Sequence, residues 1–342
     1  MRHLIVRLSA LGDVAATLPA VKHFADTRGG EIHWVVGEIA APLLRAMPWI
    51  SRIFTVCESK LLRGSRVEQI SEGVQLWAKL AGRRYDTVAT LHVDRRFHLL
   101  AAPVLASQRI ELTKNDRSRM LIRGRNQTME FTRILLGRDG CLDDLKVDYS
   151  LWPLLADAIR SEQPRILLVP GGARNVMRDS PHRRWPVTKY AYLARELRRL
   201  GMRVSLIGAK DDDWVRPAFQ GIDCDDWIGA FELPALLDAM QEADLVVTHD
   251  TGPLHLAALT RVPILALFGP TNPSEVVARR PGVHVIHGGD HLPCRPCYDG
   301  RELPLCSTYA CMDSIDAEVV LARCLSLVGS SRTSLHPVNV IS

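Results

Sequence analysis

The stretch Val246-Val247-Thr248-His249-Asp250-Thr251-Gly252-Pro253-Leu254-His255-Leu256-Ala257-Ala258, VVTHDTGPLHLAA, runs from an apolar segment through a polar turn into a helix-forming one. The apolar part, residues 244–248, fits a strand covered on both faces, as in a parallel sheet. Pro253 suits the first turn of a helix, where its missing N–H has no intrahelical partner to lose. Two readings of the turn are open. Either the amides of Gly252, Leu254 and His255 face outward at a helix N-terminus, where the macrodipole favours an anion such as a phosphate, or Asp250 or Thr251 caps an ordinary helix. By itself, His255 reads as a packed histidine.

The same strand, turn and helix recur on both sides of this stretch. Residues 165–170, 203–208, 244–248, 264–269 and 283–287 read as strands, with helical segments at 190–200, 234–243 and 253–260 between them. Gly201 follows the first of these helices as a C-cap. Upstream, strands are expected at 3–8, 31–36, 52–57, 86–92 and 108–113. Helical periodicity appears at 14–24 and again at 66–80, where Val67, Ile70, Val74 and Trp77 mark one side. Alternation of this kind predicts α/β architecture with parallel strands and right-handed crossovers.

With 342 residues the chain exceeds the size of one ordinary core. Two doubly wound domains are therefore expected, 1–157 and 164–328, joined by a polar linker at 157–164 and followed by a loose tail at 329–342. Hydrophobic residues make up 47% and charged residues 24%, as in a folded globular protein. The apolar runs fall short of the roughly 20 residues that span a bilayer. The N-terminus reads as a first strand and helix and not as a signal peptide, because Arg7 and Asp13 interrupt it. A formal charge of +5 is too small an excess to indicate nucleic acid.

In open α/β sheets ligands bind beyond the carboxyl ends of the strands, so the other strand-to-helix turns matter. Leu8-Ser9-Ala10-Leu11-Gly12-Asp13 forms the first, where Gly12 permits close approach and Asp13 is a helix cap or a general base. Pro170-Gly171-Gly172-Ala173-Arg174 forms another, followed by Arg183-Arg184-Trp185-Pro186. Guanidinium groups around a loop of exposed amides would match phosphate oxygens. No GxGxxG occurs, which argues against a dinucleotide site. Eight cysteines suggest a reducing compartment. Cys294, Cys297, Cys306 and Cys311 have a spacing open to a four-thiolate zinc site or to free thiols.

Three motifs together, RLSALGDV at 7–14, PGGARN with RRWP at 170–186, and DTGPLHLAALTRVPILALFGPTNP at 250–273, resemble the family 9 glycosyltransferases, the heptosyltransferases of bacterial lipopolysaccharide. The resemblance implies a GT-B fold of two Rossmann-like domains facing a cleft, with acceptor on the first and nucleotide sugar on the second. It also allows the last helix to pack back on the first domain. The implied reaction moves a heptose, with inversion, from ADP-heptose to a lipid A–Kdo or heptosylated core acceptor, and needs no cofactor. The implied location is the cytoplasm, in peripheral contact with the inner membrane.

By the same resemblance Asp13 is the catalytic base. Arg183 occupies the position of a basic residue, often Lys in the family, that contacts the diphosphate. Gly171, Gly172, Arg174, Thr251, Gly252, Leu254 and His255 would hold the phosphates. Asp250 would lie near the ribose or the transferred sugar, and Asp211 or Asp212 near the ribose hydroxyls. Ser9 and Gly12 line the acceptor side, where Lys60, Arg63, Arg117, Arg119 and Arg123 are cations available for acceptor anions. Another nucleotide sugar, or nucleotide-sugar binding without catalysis, is the alternative.

Overall fold

The computed structural model describes residues 1–8, 10–138, 146–154, 162–174, 179–295, 297 and 306–333. Ser9, most of the linker at 157–164 and the tail beyond 333 lie outside the described residues. Two compact units form. The first is built on Met1–Tyr149 and includes Ser274–Val276, and the second is built on Ser150–Arg174, Asp179–Pro273 and the chain from Val277 onward.

In chain order the first unit contains β1 (Arg2–Val6), α1 (Leu11–Arg28), β2 (Glu31–Gly37), α2 (Ala41–Arg45), β3 (Ile50–Val56), α3 (Glu58–Arg63) and α4 (Arg66–Leu80). It continues with β4 (Arg84–Thr90), α5 (Arg95–Leu100), β5 (Leu105–Glu111) and α6 (Gln127–Leu136). Its sheet has the order β3-β2-β1-β4-β5 with every neighbour parallel. Leu4, Val6, Val35, Phe54 and Val88 from the strands meet Leu76, Leu80 and Phe97 from the helices in one core.

Three features depart from the sequence expectation. Helix α1 starts at Leu11, so Asp13 lies inside its first turn and is not the cap. The cap position is Ala10, at φ 42 with no side-chain cap bond. Helix α4 forms, opened by a Ser65–Glu68 capping box, but buries Leu76 and Leu80. The stripe of Val67, Ile70, Val74 and Trp77 points about 120° away and stays exposed. Periodicity identified the helix, but both stripes are apolar and only packing against the sheet chooses between them. Helix α6 was not anticipated. Its buried face includes Glu130 and Arg133, paired at 2.9 Å, so charged letters conceal a core helix.

The chain continues through β6 (Arg165–Leu168), α7 (Val187–Arg199), β7 (Arg203–Gly208), β8 (Asp225–Ile228), α8 (Leu233–Glu242) and β9 (Leu245–His249). It then forms α9 (Gly252–Leu259), β10 (Ile264–Phe268), α10 (Pro273–Val276), β11 (Val283–His287), α11 (Ala310–Asp313) and α12 (Ala317–Thr333). The second sheet is parallel throughout, in the order β11-β10-β9-β6-β7-β8. Strand order reverses between β6 and β9, and this switch point is where open α/β sheets bind ligands. Val320, Cys324 and Leu327 of α12 join the second unit's own core with Ile166, Leu193 and Val247. Strand β8, too polar at Asp225 and Asp226 to stand out by pattern, completes the edge. Among the described residues no helix is long and apolar enough to cross a membrane.

Candidate functional site

The turns after β6 and β9 are stitched together across the switch point of the second sheet. The Ala173 N–H donates to Thr251 Oγ1 at 2.7 Å. The Gly172 N–H donates to Asp212 Oδ1 at 2.7 Å, and the other oxygen of Asp212 accepts the Ala209 N–H at 2.9 Å. Both glycines are required by this stitching. A Cβ on Gly171 would lie 2.5 Å from the Asp212 carboxyl carbon, and one on Gly172, at φ +80, would lie 2.5 Å from Thr251 Oγ1.

The expectation of a turn rich in exposed amides is therefore corrected: Gly172 and Ala173 already have acceptors. The choice between Asp211 and Asp212 also acquires a structural side. Asp212 is buried and clamps two turns, whereas the exposed Asp211 pairs with Arg174 at 3.4 Å. Arg174 also pairs with Asp179, at 3.5 Å.

Thr251 occupies the cap position of α9, but its hydroxyl is engaged by Ala173 and makes no cap bond. The Leu254 amide closes onto the Thr251 carbonyl at 3.1 Å and is not an outward donor. Among the described residues the Gly252 N–H has no protein acceptor, so it is the helix-end donor left for an anion. His255 is half-buried on the same helix and has a partner of its own.

Asp250 is buried and joins three turns. Its Oδ2 accepts Arg183 Nη1 at 3.2 Å and Thr271 Oγ1 at 2.8 Å. Arg183 is fixed by its neighbour Trp185, which is buried against Tyr190 and donates its indole N–H to the Ile315 carbonyl at 3.0 Å. The Arg183 Nε–H is buried without an acceptor. Arg184 serves the scaffold, donating to the Gly172 carbonyl at 2.8 Å, pairing with Asp179 and lying over Trp214. His249, at the end of β9, is held neutral by burial, its pKa lowered to about 3, and its Nδ1 lies 3.2 Å from the Tyr190 hydroxyl. Arg184, expected from the sequence among the phosphate-facing guanidinium groups, is thus corrected to a scaffold role, whereas Thr271 and His249 were given no role. Their position at strand ends was the available signal.

In the first unit the switch point falls between β1 and β4. The Leu8 N–H donates to His92 Nε2 at 2.9 Å, which fixes the tautomer with the proton on Nδ1. Burial, reinforced by Arg7, pushes the His92 pKa well down and keeps the ring neutral. The partly exposed Asp13 carboxylate stands 3.4 Å from Arg7 Nη2. Arg7 is buried, with its guanidinium over the Phe131 ring; desolvation lowers its pKa and Asp13 opposes that shift. Arg7 and His92 were missed as site residues, although Arg7 opens the quoted motif. Gly12 is buried one residue before Asp13.

The five acceptor-side cations are not brought together. Lys60 and Arg63 lie on α3, which follows edge strand β3, and Arg117, Arg119 and Arg123 follow the opposite edge strand β5. The four intervening strand spacings amount to about 19 Å. Lys60 is 4.0 Å from Glu72, and Arg119 is 3.6 Å from Asp116. The segment carrying Arg117, Arg119 and Arg123 is held by α6. Arg133 donates to the Ser118 and Met120 carbonyls at 3.1 and 2.7 Å, and Glu130 accepts the Ile122 N–H at 3.0 Å. Glu130 also draws in Arg125 at 3.5 Å.

Cys294, Cys297, Cys306 and Cys311 are free thiols, and among the described residues no group of three or more His, Cys, Asp or Glu side chains could hold a metal ion. Burial and the neighbouring Cys294 push Cys297 up to about 11, and burial raises Cys311. Cys311 is packed against Gly269 and Gly289, whose Cβ positions it would block.

The sequence pattern of glycosyltransferase family 9 (heptosyltransferase) matches residues 66–303. Lipopolysaccharide heptosyltransferase 1 of Pseudomonas aeruginosa is 28% identical over 317 residues, covering 87% of this chain and 86% of that protein. Lipooligosaccharide heptosyltransferase 2 of Haemophilus influenzae is 34% identical over 123 residues, 34% of each chain. Among solved structures, a family 9 glycosyl transferase from Veillonella parvula superposes with a TM-score of 0.77 at 22% identity, covering 96% of this chain and 97% of that one. Escherichia coli heptosyltransferase WaaC with ADP gives 0.74 at 18% identity, covering 96% and 100%. Two parallel sheets, each with its turns gathered at a switch point, thus have the GT-B fold, and the chain belongs to glycosyltransferase family 9.

Proposed function

We propose that this glycosyltransferase moves a heptose from ADP-heptose to a hydroxyl of the lipopolysaccharide inner core, lipid A–Kdo or its heptosylated form, with inversion. The observation that carries the reading is the Arg183–Asp250–Thr271 junction beside the Gly252 N–H, where a fixed cation and a helix N-terminus meet at a switch point. In this reading Asp13 takes the proton of the acceptor hydroxyl as its oxygen bonds to the anomeric carbon. The bond from that carbon to the diphosphate breaks, and ADP leaves with the electron pair. Arg183 and the α9 terminus stabilise the charge that develops on it. The relatives' names support heptose as the sugar. Because the acceptor is lipid-anchored, the enzyme works in peripheral contact with the cytoplasmic face of the inner membrane.

Purified protein mixed with ADP-heptose and a Kdo-bearing acceptor is expected to release ADP and yield a heptosylated product. No transfer under conditions where an established heptosyltransferase turns over, or faster transfer from another nucleotide sugar, refutes the assignment.

A further inference from the structure

Helix α4 carries two apolar stripes, and only one is inside the protein. Leu76 and Leu80 are buried, whereas Val67, Ile70, Val74 and Trp77 are 76, 66, 54 and 39% exposed. Their three- and four-residue spacing places them along one side of the helix. The indole N–H of Trp77 donates to the Leu99 carbonyl at 2.9 Å, which brings α5 alongside, and Leu99 extends the patch at 61% exposure. Scattered surface apolar residues are ordinary, but a contiguous set on adjoining helices marks a surface that meets something.

The surrounding charge indicates what covers it. Arg63 and Arg66 flank the start of the stripe, Arg84 follows its end, and Arg95 opens α5. All four are exposed and have no carboxylate partner among the described residues. The nearby carboxylates are engaged: Glu68 in the Ser65 cap, Glu72 by the Cys57 amide, and Asp94 by Arg96. A twofold contact between copies would repeat this basic rim on both sides and set like charges together. An anionic bilayer instead offers hydrocarbon to the stripe, an interfacial zone to the indole and phosphates to the rim.

We infer that α4 and the adjoining end of α5 form the face on which the protein rests on an anionic phospholipid surface, with α4 lying in the plane of the interface. This deepens the proposed reading, on which a lipid-anchored acceptor depends, by naming the face. The test needs no sugar, so its failure and that of the transferase assignment are separate results.

Full-length protein is sedimented with vesicles of phosphatidylglycerol and phosphatidylethanolamine, and with phosphatidylcholine vesicles. Wild type is expected to bind the anionic vesicles, to lose binding at high salt, and to leave neutral vesicles largely in solution. The exposed double substitution Ile70→Asp/Val74→Asp should lower the partition coefficient at least tenfold while ADP release with a deacylated, water-soluble acceptor is unchanged. Should that variant misfold by circular dichroism, Trp77→Phe supplies the second readout, since quenching of tryptophan fluorescence by brominated lipid should drop. Failure of wild type to bind, equal binding by the double variant, or unchanged quenching in Trp77→Phe overturns the inference. So does a wild-type dimer that the double substitution dissociates, which would assign the face to a second copy.

Discussion

Replacing Asp212 by Asn separates two roles open to a carboxylate beside a nucleotide turn: contact with ribose, and support of the turn itself. In the structure both oxygens are already engaged, one by Gly172 N–H at 2.7 Å and one by Ala209 N–H at 2.9 Å, and the residue is buried. Asparagine keeps a single oxygen. It turns one charge-assisted bond into a neutral one and presents NH2 to the other backbone N–H, leaving that donor unpaired. An unpaired buried donor costs about 1–3 kcal/mol, and loss of charge assistance adds roughly 1 kcal/mol, for a total of about 2–4 kcal/mol. For a unit of this size that is a fall in Tm of roughly 4–16 °C. The assay is differential scanning calorimetry without nucleotide, paired with ADP titration calorimetry. Asp211→Asn serves as the control, with Tm expected to stay near that of wild type because its pair with Arg174 is solvent-exposed. A Tm within about 1 °C of wild type for Asp212→Asn, combined with lost ADP affinity, would refute the clamp and return the residue to ligand contact.

Asp13→Asn should lower kcat by about 10²–10⁴-fold with ADP affinity nearly unchanged; turnover near wild type by coupled ADP release removes Asp13 from the role of base. Gly172→Ala forces a side chain to φ +80 and onto Thr251 Oγ1, costing about 1–2 kcal/mol for the backbone alone, and should weaken ADP binding. Unaltered Tm and affinity would contradict the close approach. His249 stays neutral in the folded state down to about pH 3 because burial disfavours the imidazolium, while the unfolded chain protonates it below about 6.5. Stability should therefore fall as pH drops through that window, by up to about 1.4 kcal/mol per pH unit from this group. His249→Gln should flatten the pH dependence of urea unfolding between pH 6 and 4, and parallel curves for the two proteins would exclude His249 as the source.

The two-unit parallel fold was legible because its central strands are buried on both faces, so their apolar runs stand out at 165–170, 244–248 and 264–269. The strand-end turns were legible from Gly, Pro and Asp placement. The direction of a side chain from such a turn was not. Leu254 looks from spacing, and Asp212 and Thr251 from the family resemblance, like groups open to ligand, yet each completes a local bond that only tertiary structure specifies. Helix α4 shows the same limit, because its stripe of Val67, Ile70, Val74 and Trp77 has the right period and the wrong side. Helix α6 shows the converse, since Glu130 and Arg133 cancel each other inside the fold and their letters read as surface.

These engaged groups narrow the electrostatics of the donor turns. With the amides of Gly172, Ala173 and Leu254 taken by protein acceptors, the Gly252 N–H, the α9 terminus and the Arg183 guanidinium are the groups that, on the proposed reading, meet the diphosphate. Arg183 holds Asp250 through Nη1 alone and keeps a buried Nε–H without an acceptor. A guanidinium has five donors in one plane, so it can keep Asp250 on one nitrogen while offering others to phosphate oxygens. A lysine there would carry the same charge as a point and lack that fixed fork. The aspartate then has a purpose beyond neutralisation. On the proposed reading, by tying Arg183 to Thr271 it sets the plane of the guanidinium before nucleotide arrives, and a donor held in place does not have to reorganise as charge builds on the leaving group.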